Sequence, residues 1–378
     1  TRPHPARPGI VALMGLHIRT RRTLTRQAIR RRHSAAAARH WRPAVAAAVA
    51  SALIAPIAAA ADANAVRRGA AIAPACRSAR DPGLAARMSK DIRAALSSRT
   101  GTVSVAVHDD ASDLWCAIDA NRPYDSASVA KVLIMETVLW RAEQLRRKLT
   151  GFESRRIPPM IQVSDNGSAW QLWQDLGPSR VERFLTKARA TATTPGPGGL
   201  WGLTRTTALD QMRLLGVLTE ARSFLRSRAY GLKQLQRVRA DQRWGVPAGM
   251  AKGVTAHLKN GWLPRSTHGW RVHSIGAFTG GGRTYRIVVL SHDNPTMAYG
   301  VRTIERVAHA VHRALNKGRA AGQGYTPQSE ISERPDGSVP PGADPQSRTE
   351  DPARGRNDGS PPQTDPPGPT APSGPTAP

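Results

Sequence analysis

Two groups of strands stand at opposite ends of the ordered-looking part of this chain, and the residues between them are patterned as helices. Thr102–Val107 (TVSVAV) alternates with period two, His108–Asp113 turns, and Leu114–Ile118 follows as a second strand. A second block begins near Val254: His257–Leu263, then Trp270–Phe278, a Gly-rich turn at Thr279–Arg283, and Tyr285–Ser291. Helix, two strands, a helical insertion, three strands and a final helix are expected to make one sandwich. Its sheet would combine strands from both chain ends, which makes 76–318 one domain. The expected fold class is α+β, an antiparallel five-stranded sheet with an all-helical subdomain inserted.

Helical spacing predicts elements over 84–99 (LAARMSKDIRAALSSR), from near Ser128 through Val132–Leu145, over Thr207–Leu218 and Phe224–Val238, and over Tyr299–Leu315. Asp125 or Ser126 is the expected cap of the second of these. Residues 146–205 are polar and helical, with breaks expected at Pro158-Pro159, Gly177-Pro178 and Thr194–Gly199.

The formal net charge is +28, and residues 46–319 still carry +21 of it. Arginine outnumbers lysine 47 to 8, so an arginine-biased composition accounts for part of this charge. Its functional reading is attraction to an anionic surface such as cell-wall polymer or membrane lipid. Nucleic acid is not expected as a partner, because no recognition motif is present and aromatics are only 5% of the chain.

Residues 43–61 form a long Ala-rich apolar run after a basic segment, and Ala61-Asp62-Ala63 closes it. That is the layout of a secretory signal peptide, so 1–63 is expected to direct export. Cys76 and Cys116 lie beyond it and would meet an oxidising compartment, where one disulfide is expected; two buried thiols are the alternative. No Cys-His cluster has metal-ligand spacing, and His257, His268, His273 and His292 are expected at the surface or in packing rather than as ligands. Neither metal nor cofactor is expected. Residues 319–378 are rich in Pro, Gly, Ser, Asp and Thr, and are expected to be disordered.

Three short motifs follow one another in order. Ser128-Val129-Ala130-Lys131 opens a helix, Ser164-Asp165-Asn166 follows Ile157–Val163, and Lys259-Asn260-Gly261 lies in a strand. A serine at a helix N-terminus sits where a developing alkoxide is favoured, and a lysine three residues on shares its face. That lysine acts as a base only if burial or a nearby positive charge disfavours its own charge. The glycine of the third motif suits close backbone approach. Each motif alone is ordinary: a capped helix, a turn, a strand lysine.

Together, in this order, S-x-x-K, S-D-N and K-x-G resemble the signature of class A β-lactamases and penicillin-binding proteins, with Asn260 where the family usually has Thr or Ser. The resemblance covers 76–318. It implies an exported serine hydrolase that forms an acyl-enzyme on Ser128. Lys131 and Ser164 would be catalytic. Asn166, Lys259, Asn260, Gly261 and Trp262 would hold substrate, with the backbone N–H groups of Ser128 and Trp262 as the oxyanion hole. Asp165 would be structural, buried under its loop. The substrate implied is a β-lactam or peptidoglycan-like amide, and a monomer is expected.

One departure bears on turnover. Class A enzymes place a glutamate in an E-x-x-L-N loop after S-D-N to activate the deacylating water. Between Arg183 and Leu209 this chain has no Asp or Glu, and Glu182 and Asp175 fall too early. The separation of 36 positions from Ser128 to Ser164 is also shorter than in that family. Three functions follow as expectations: slow β-lactam hydrolysis, a D-alanyl-D-alanine peptidase or penicillin-binding protein, and a wall-associated protein that no longer catalyses.

Overall fold

The computed structural model describes residues 75–322. The export leader expected at 1–63 lies outside the described residues, as does the tail beyond 322, whereas 319–322, expected to be disordered, fold back onto the domain with Ala321 bridged to Ala251. The sheet has strand order β1-β3-β2-β8-β7-β6 and is antiparallel throughout. Its strands are β1 (Cys76–Arg77), β2 (Thr102–Asp109), β3 (Leu114–Ile118), β6 (Thr255–Pro264), β7 (Trp270–Gly280) and β8 (Arg283–Asn294). The five expected strands are all present. The sixth, β1, is a two-residue edge strand too short to show a period.

β2 and β8 are sequence-distant but neighbouring, and the two strand blocks meet there with Val105 opposite Val289. Tyr285 through Ser291 are all buried, so both faces of this central strand are covered. Alternate side chains show what covers each face. Tyr285 Oη lies 2.9 Å from His312 Nδ1 of α8 (Met297–Leu315). Its neighbour Arg286 points the other way, donating to Glu220 Oε1 at 2.8 Å, just past α6 (Ala208–Thr219). A further helix, α1 (Pro82–Leu96), packs on α8, with Asp81 capping it through a 2.7 Å bond from Leu84 N–H.

β1 exists because of the cysteines. Cys76 pairs with Cys116 of β3 in direct register, and the two form a disulfide across 40 positions of sequence. Replacing both cysteines with serine is expected to lower unfolding stability by about 2–4 kcal/mol. Urea denaturation checks this, and an unchanged midpoint would contradict it.

The helical subdomain is built round α2 (Ala130–Gln144), whose residues Ala130 to Leu139 are all buried. Beside it lie α3 (Gly151–Gln162), α4 (Asn166–Leu176), α5 (Pro178–Lys187) and α7 (Arg228–Gln236). Two expectations fail here. Pro158-Pro159 does not break α3, because a capping box between Thr150 and Glu153 fixes the first turn and Ile157, Met160 and Ile161 are buried. The prolines act on the helix end instead. Pro159 O accepts from both Val163 N–H (3.2 Å) and Asp165 N–H (3.0 Å), which turns the chain into Ser164. The helix expected over 224–238 also spans only Arg228–Gln236. The break at Gly177-Pro178 is present, between α4 and α5.

Candidate active site

Ser128 sits in a single 3-10 turn, Ala127–Val129, that runs directly into α2. Neither expected cap is used: no side chain caps this turn. Asp125 is occupied elsewhere, in a two-residue strand β4 (Tyr124–Asp125) paired with β5 (Arg205–Thr206). Its carboxylate accepts from Arg271 Nε at 2.9 Å and from Arg205 Nη1 at 3.2 Å. Backbone bonds fix the turn in place of a cap. Ser126 N–H donates to Thr204 O at 2.8 Å, and His273 Nε2 lies 2.8 Å from Asp125 O.

The tautomer of His273 follows from its second contact. Ser291 N–H donates to its Nδ1 at 3.2 Å, so the ring proton is on Nε2 and is given to Asp125 O. Burial pushes this imidazole down to about 4, which keeps it neutral through the physiological range. A charged ring would present two N–H groups, one of them toward the N–H of Ser291. Ala127, just before Ser128, has φ +46°, a left-handed conformation that costs a residue with a Cβ of order 1 kcal/mol or more.

Gly261 explains how close β6 comes. A Cβ there would lie 2.9 Å from Ser128 N and 3.0 Å from Val129 N. The strand backbone therefore abuts the amide of Ser128, and only glycine leaves that gap open. Ser128 itself is 4% exposed.

Both lysines of the motifs are buried and converge on one hydroxyl. Lys131 Nζ donates to Ser164 Oγ at 3.0 Å, to Ser164 O at 2.5 Å and to Asn166 Oδ1 at 2.7 Å. Lys259 Nζ donates to the same Ser164 Oγ at 3.0 Å and to Asn260 O at 2.9 Å. A hydroxyl has two lone pairs and one proton. With both lone pairs taken by amines, the Ser164 O–H can only donate. Ser164 is held there with φ +60°, between α3 and α4.

Burial pulls Lys259 down to about 7. Its ammonium is therefore fully formed below neutrality and is lost as pH rises through 7. If that charge grips a substrate carboxylate, the apparent binding constant of a penicillin is expected to weaken above pH 7. A KI–pH profile tests this, and a flat profile between pH 6 and 9 would contradict it.

The remaining motif residues divide. Asp165 is exposed rather than buried under its loop, and caps α4 by accepting from Ser168 N–H at 2.6 Å. That is a structural role, reached by a different contact. Asn260 gives its amide hydrogens to Gln242 O (2.9 Å) and Trp244 O (3.0 Å). Both donors are thus spent on the loop before β6, so this side chain holds that loop rather than offering a hydrogen to a carboxylate. The reason is strand alternation: Lys259 reaches the site, and its neighbour faces away. Trp262 packs its ring on Trp244, centroids 5.8 Å apart.

Trp201 is not among the residues expected at the site. Its ring is fully buried and lies 4.7 Å from Lys131 Nζ, in a cation–π contact. It comes from the loop between Arg183 and Leu209, the stretch without any acid. Where that loop reaches Lys131, it presents an indole. Its position depends on a chain fold-back that no local pattern encodes, although an isolated Trp in a Gly-Pro-rich loop was the available signal.

A sequence model of the β-lactamase enzyme family matches residues 157–315. That range takes in the second and third motifs and leaves Ser128 outside. The candidate lipoprotein LppW of Mycobacterium tuberculosis is 28% identical over 204 residues, which is 50% of this chain and 63% of that protein. LppW of Mycobacterium bovis matches equally. The match therefore spans less than two thirds of the length of these curated relatives.

Among solved structures, an ancestral class A β-lactamase has a TM-score of 0.51 at 20% identity, covering 60% of this chain and 99% of that one. A class A β-lactamase from Bacteroides cellulosilyticus has a TM-score of 0.55 at 16% identity, covering 64% and 99%. PBP-A has a TM-score of 0.51 at 18% identity, covering 61% and 96%. At such identities the likeness establishes the fold.

Proposed function

Starting from its place in the β-lactamase-like serine hydrolase family, we propose that this protein acylates Ser128 with a β-lactam or D-alanyl amide and releases the acyl group slowly. The single observation behind this is the convergence of Lys131 and Lys259 on Ser164 Oγ, each at 3.0 Å.

The chemistry runs in balance. In its neutral form Lys131 gives up one of its three donated bonds; Ser128 Oγ attacks the amide carbonyl and passes its proton to the amine lone pair so freed. The oxyanion that forms faces the Ser128 and Trp262 N–H groups, where the β6 backbone abuts the nucleophile turn. As the C–N bond breaks, the Ser164 hydroxyl protonates the departing nitrogen and recovers a proton from Lys131. Lys259 would bind the substrate carboxylate and Asn166 a substrate amide.

Deacylation needs a water activated beside the ester. Trp201 is in keeping with a slow second step, because the 183–209 loop brings an indole, and no carboxylate, within 4.7 Å of Lys131 Nζ. This favours a penicillin-binding or peptidase-like reading over a fast β-lactamase. The name of the LppW relatives supports an extracytoplasmic setting, in keeping with a leader at 1–63. The positive charge suits anionic wall polymer there.

The fate of the adduct tests this. The protein is mixed with excess benzylpenicillin, freed of it, and followed by intact mass. We expect an adduct that persists for many minutes. Loss of the adduct within seconds, with steady turnover, would instead make the protein an efficient β-lactamase.

A further inference from the structure

His268, His292 and Asp293 come together at one end of the sheet, away from the two lysines. His268 lies in the turn between β6 and β7, and His292 and Asp293 lie near the end of β8. One ligand atom from each falls within 4.8 Å of the others. His268 Nδ1 is 3.0 Å from Asp293 Oδ1, and His292 Nδ1 is 2.6 Å from Asp293 Oδ2. Two imidazole nitrogens thus point at one carboxylate from two sides.

His292 makes the shorter of the two contacts with the carboxylate. Its Nδ1 is buried, and although it lies 2.6 Å from the carboxylate it makes no hydrogen bond of acceptable direction. The three ligand atoms lie within 4.8 Å of one another, so small side-chain rotations outward from the carboxylate would bring them onto one cation. The surroundings hold the group in place. Thr102 Oγ1 donates to Asp293 Oδ2 at 2.9 Å, and Asp293 N–H donates to His268 O at 2.8 Å. Bonds of this kind orient a ligating carboxylate.

We propose that His268, His292 and Asp293 form a binding site for a divalent transition cation, with zinc as the best match. Two imidazoles and a carboxylate are borderline donors that suit zinc, whose bonds to them run about 2.0–2.2 Å. Three protein ligands leave the fourth position to water, and the exposure of His268 (57%) and Asp293 (40%) admits it. Magnesium, which prefers all-oxygen ligands, is excluded by the same donor set.

Such an ion would clamp the 265–269 turn, which ends β6, to β8 and, through Thr102, to β2. The clamp lies behind the nucleophile turn, since the His292 ring is 5.0 Å from that of Tyr124. The sequence conceals this set: His268 stands 24 residues before His292, far outside any short ligand motif.

The test is isothermal titration of the chelator-treated full chain with zinc chloride, with magnesium chloride as control. Unfolding midpoints are measured with and without zinc. We expect saturable 1:1 zinc binding, a zinc-dependent rise in midpoint, and no magnesium response. His268→Ala and Asp293→Asn should each weaken zinc binding at least about tenfold. Their zinc-free midpoints report whether the variants fold. Absence of saturable zinc binding would overturn the proposal, and so would zinc binding left unchanged by both substitutions.

Discussion

Replacing Lys131 with methionine is expected to slow acylation of the protein by a penicillin about 10²–10⁴-fold, the range for loss of a positioned general base. Methionine keeps most of the buried stem and removes the amine. The loss has two parts. Without Lys131 the Ser128 hydroxyl has no base one helical turn away. Ser164 Oγ also loses one of its two donors and is free to rotate, which removes its fixed role as proton donor. The substitution leaves Asn166 Oδ1 and Ser164 O without a partner they now have, which costs about 1–3 kcal/mol per buried group. The rate constant for adduct formation should therefore be read well below the unfolding temperature of the variant. A folded Lys131→Met protein that acylates at the original rate would remove Lys131 from the mechanism.

Gly261→Ala is expected to cost about 10²-fold in the same rate constant, through position alone. The added methyl would sit 2.9 Å from Ser128 N and 3.0 Å from Val129 N, closer than carbon and nitrogen tolerate. Either β6 or the nucleophile turn must move by several tenths of an ångström. Misplacement of a reacting group on the scale of 1 Å is enough for a loss of this size. The turn is already strained at Ala127 and held by His273 and Thr204, so it cannot yield freely. Stopped-flow acylation kinetics together with thermal unfolding separate the two outcomes. Unaltered kinetics would mean that β6 gives way and that its backbone does not shape the site.

What could be read from the chain alone was what repeats locally. The period-two run at 102–107 and the strand-like 114–118 marked the hairpin, and the order of elements pointed to one sheet with strands from both chain ends. The motif serines and lysines were legible because their spacing has a chemical meaning on a helix, a turn and a strand. What was not legible depended on distant segments. His273 holds the carbonyl of Asp125, 148 positions away in sequence. Trp201 meets Lys131 only because a loop folds back. Asn260 turns from the site because two loop carbonyls, at 242 and 244, claim its amide. Pro158-Pro159 looked like a break because propensity is local, whereas the capping box and the burial of Ile157 and Met160 are not.

The central claim is that Ser128 is the nucleophile of this site. Its most direct test is to incubate the protein and its Ser128→Ala variant with labelled benzylpenicillin at saturation, and to locate the label by peptide mass mapping. A stoichiometric penicilloyl group is expected on Ser128 and none on the variant. An unlabelled protein at saturation, or a label retained by the variant at another residue, would contradict it.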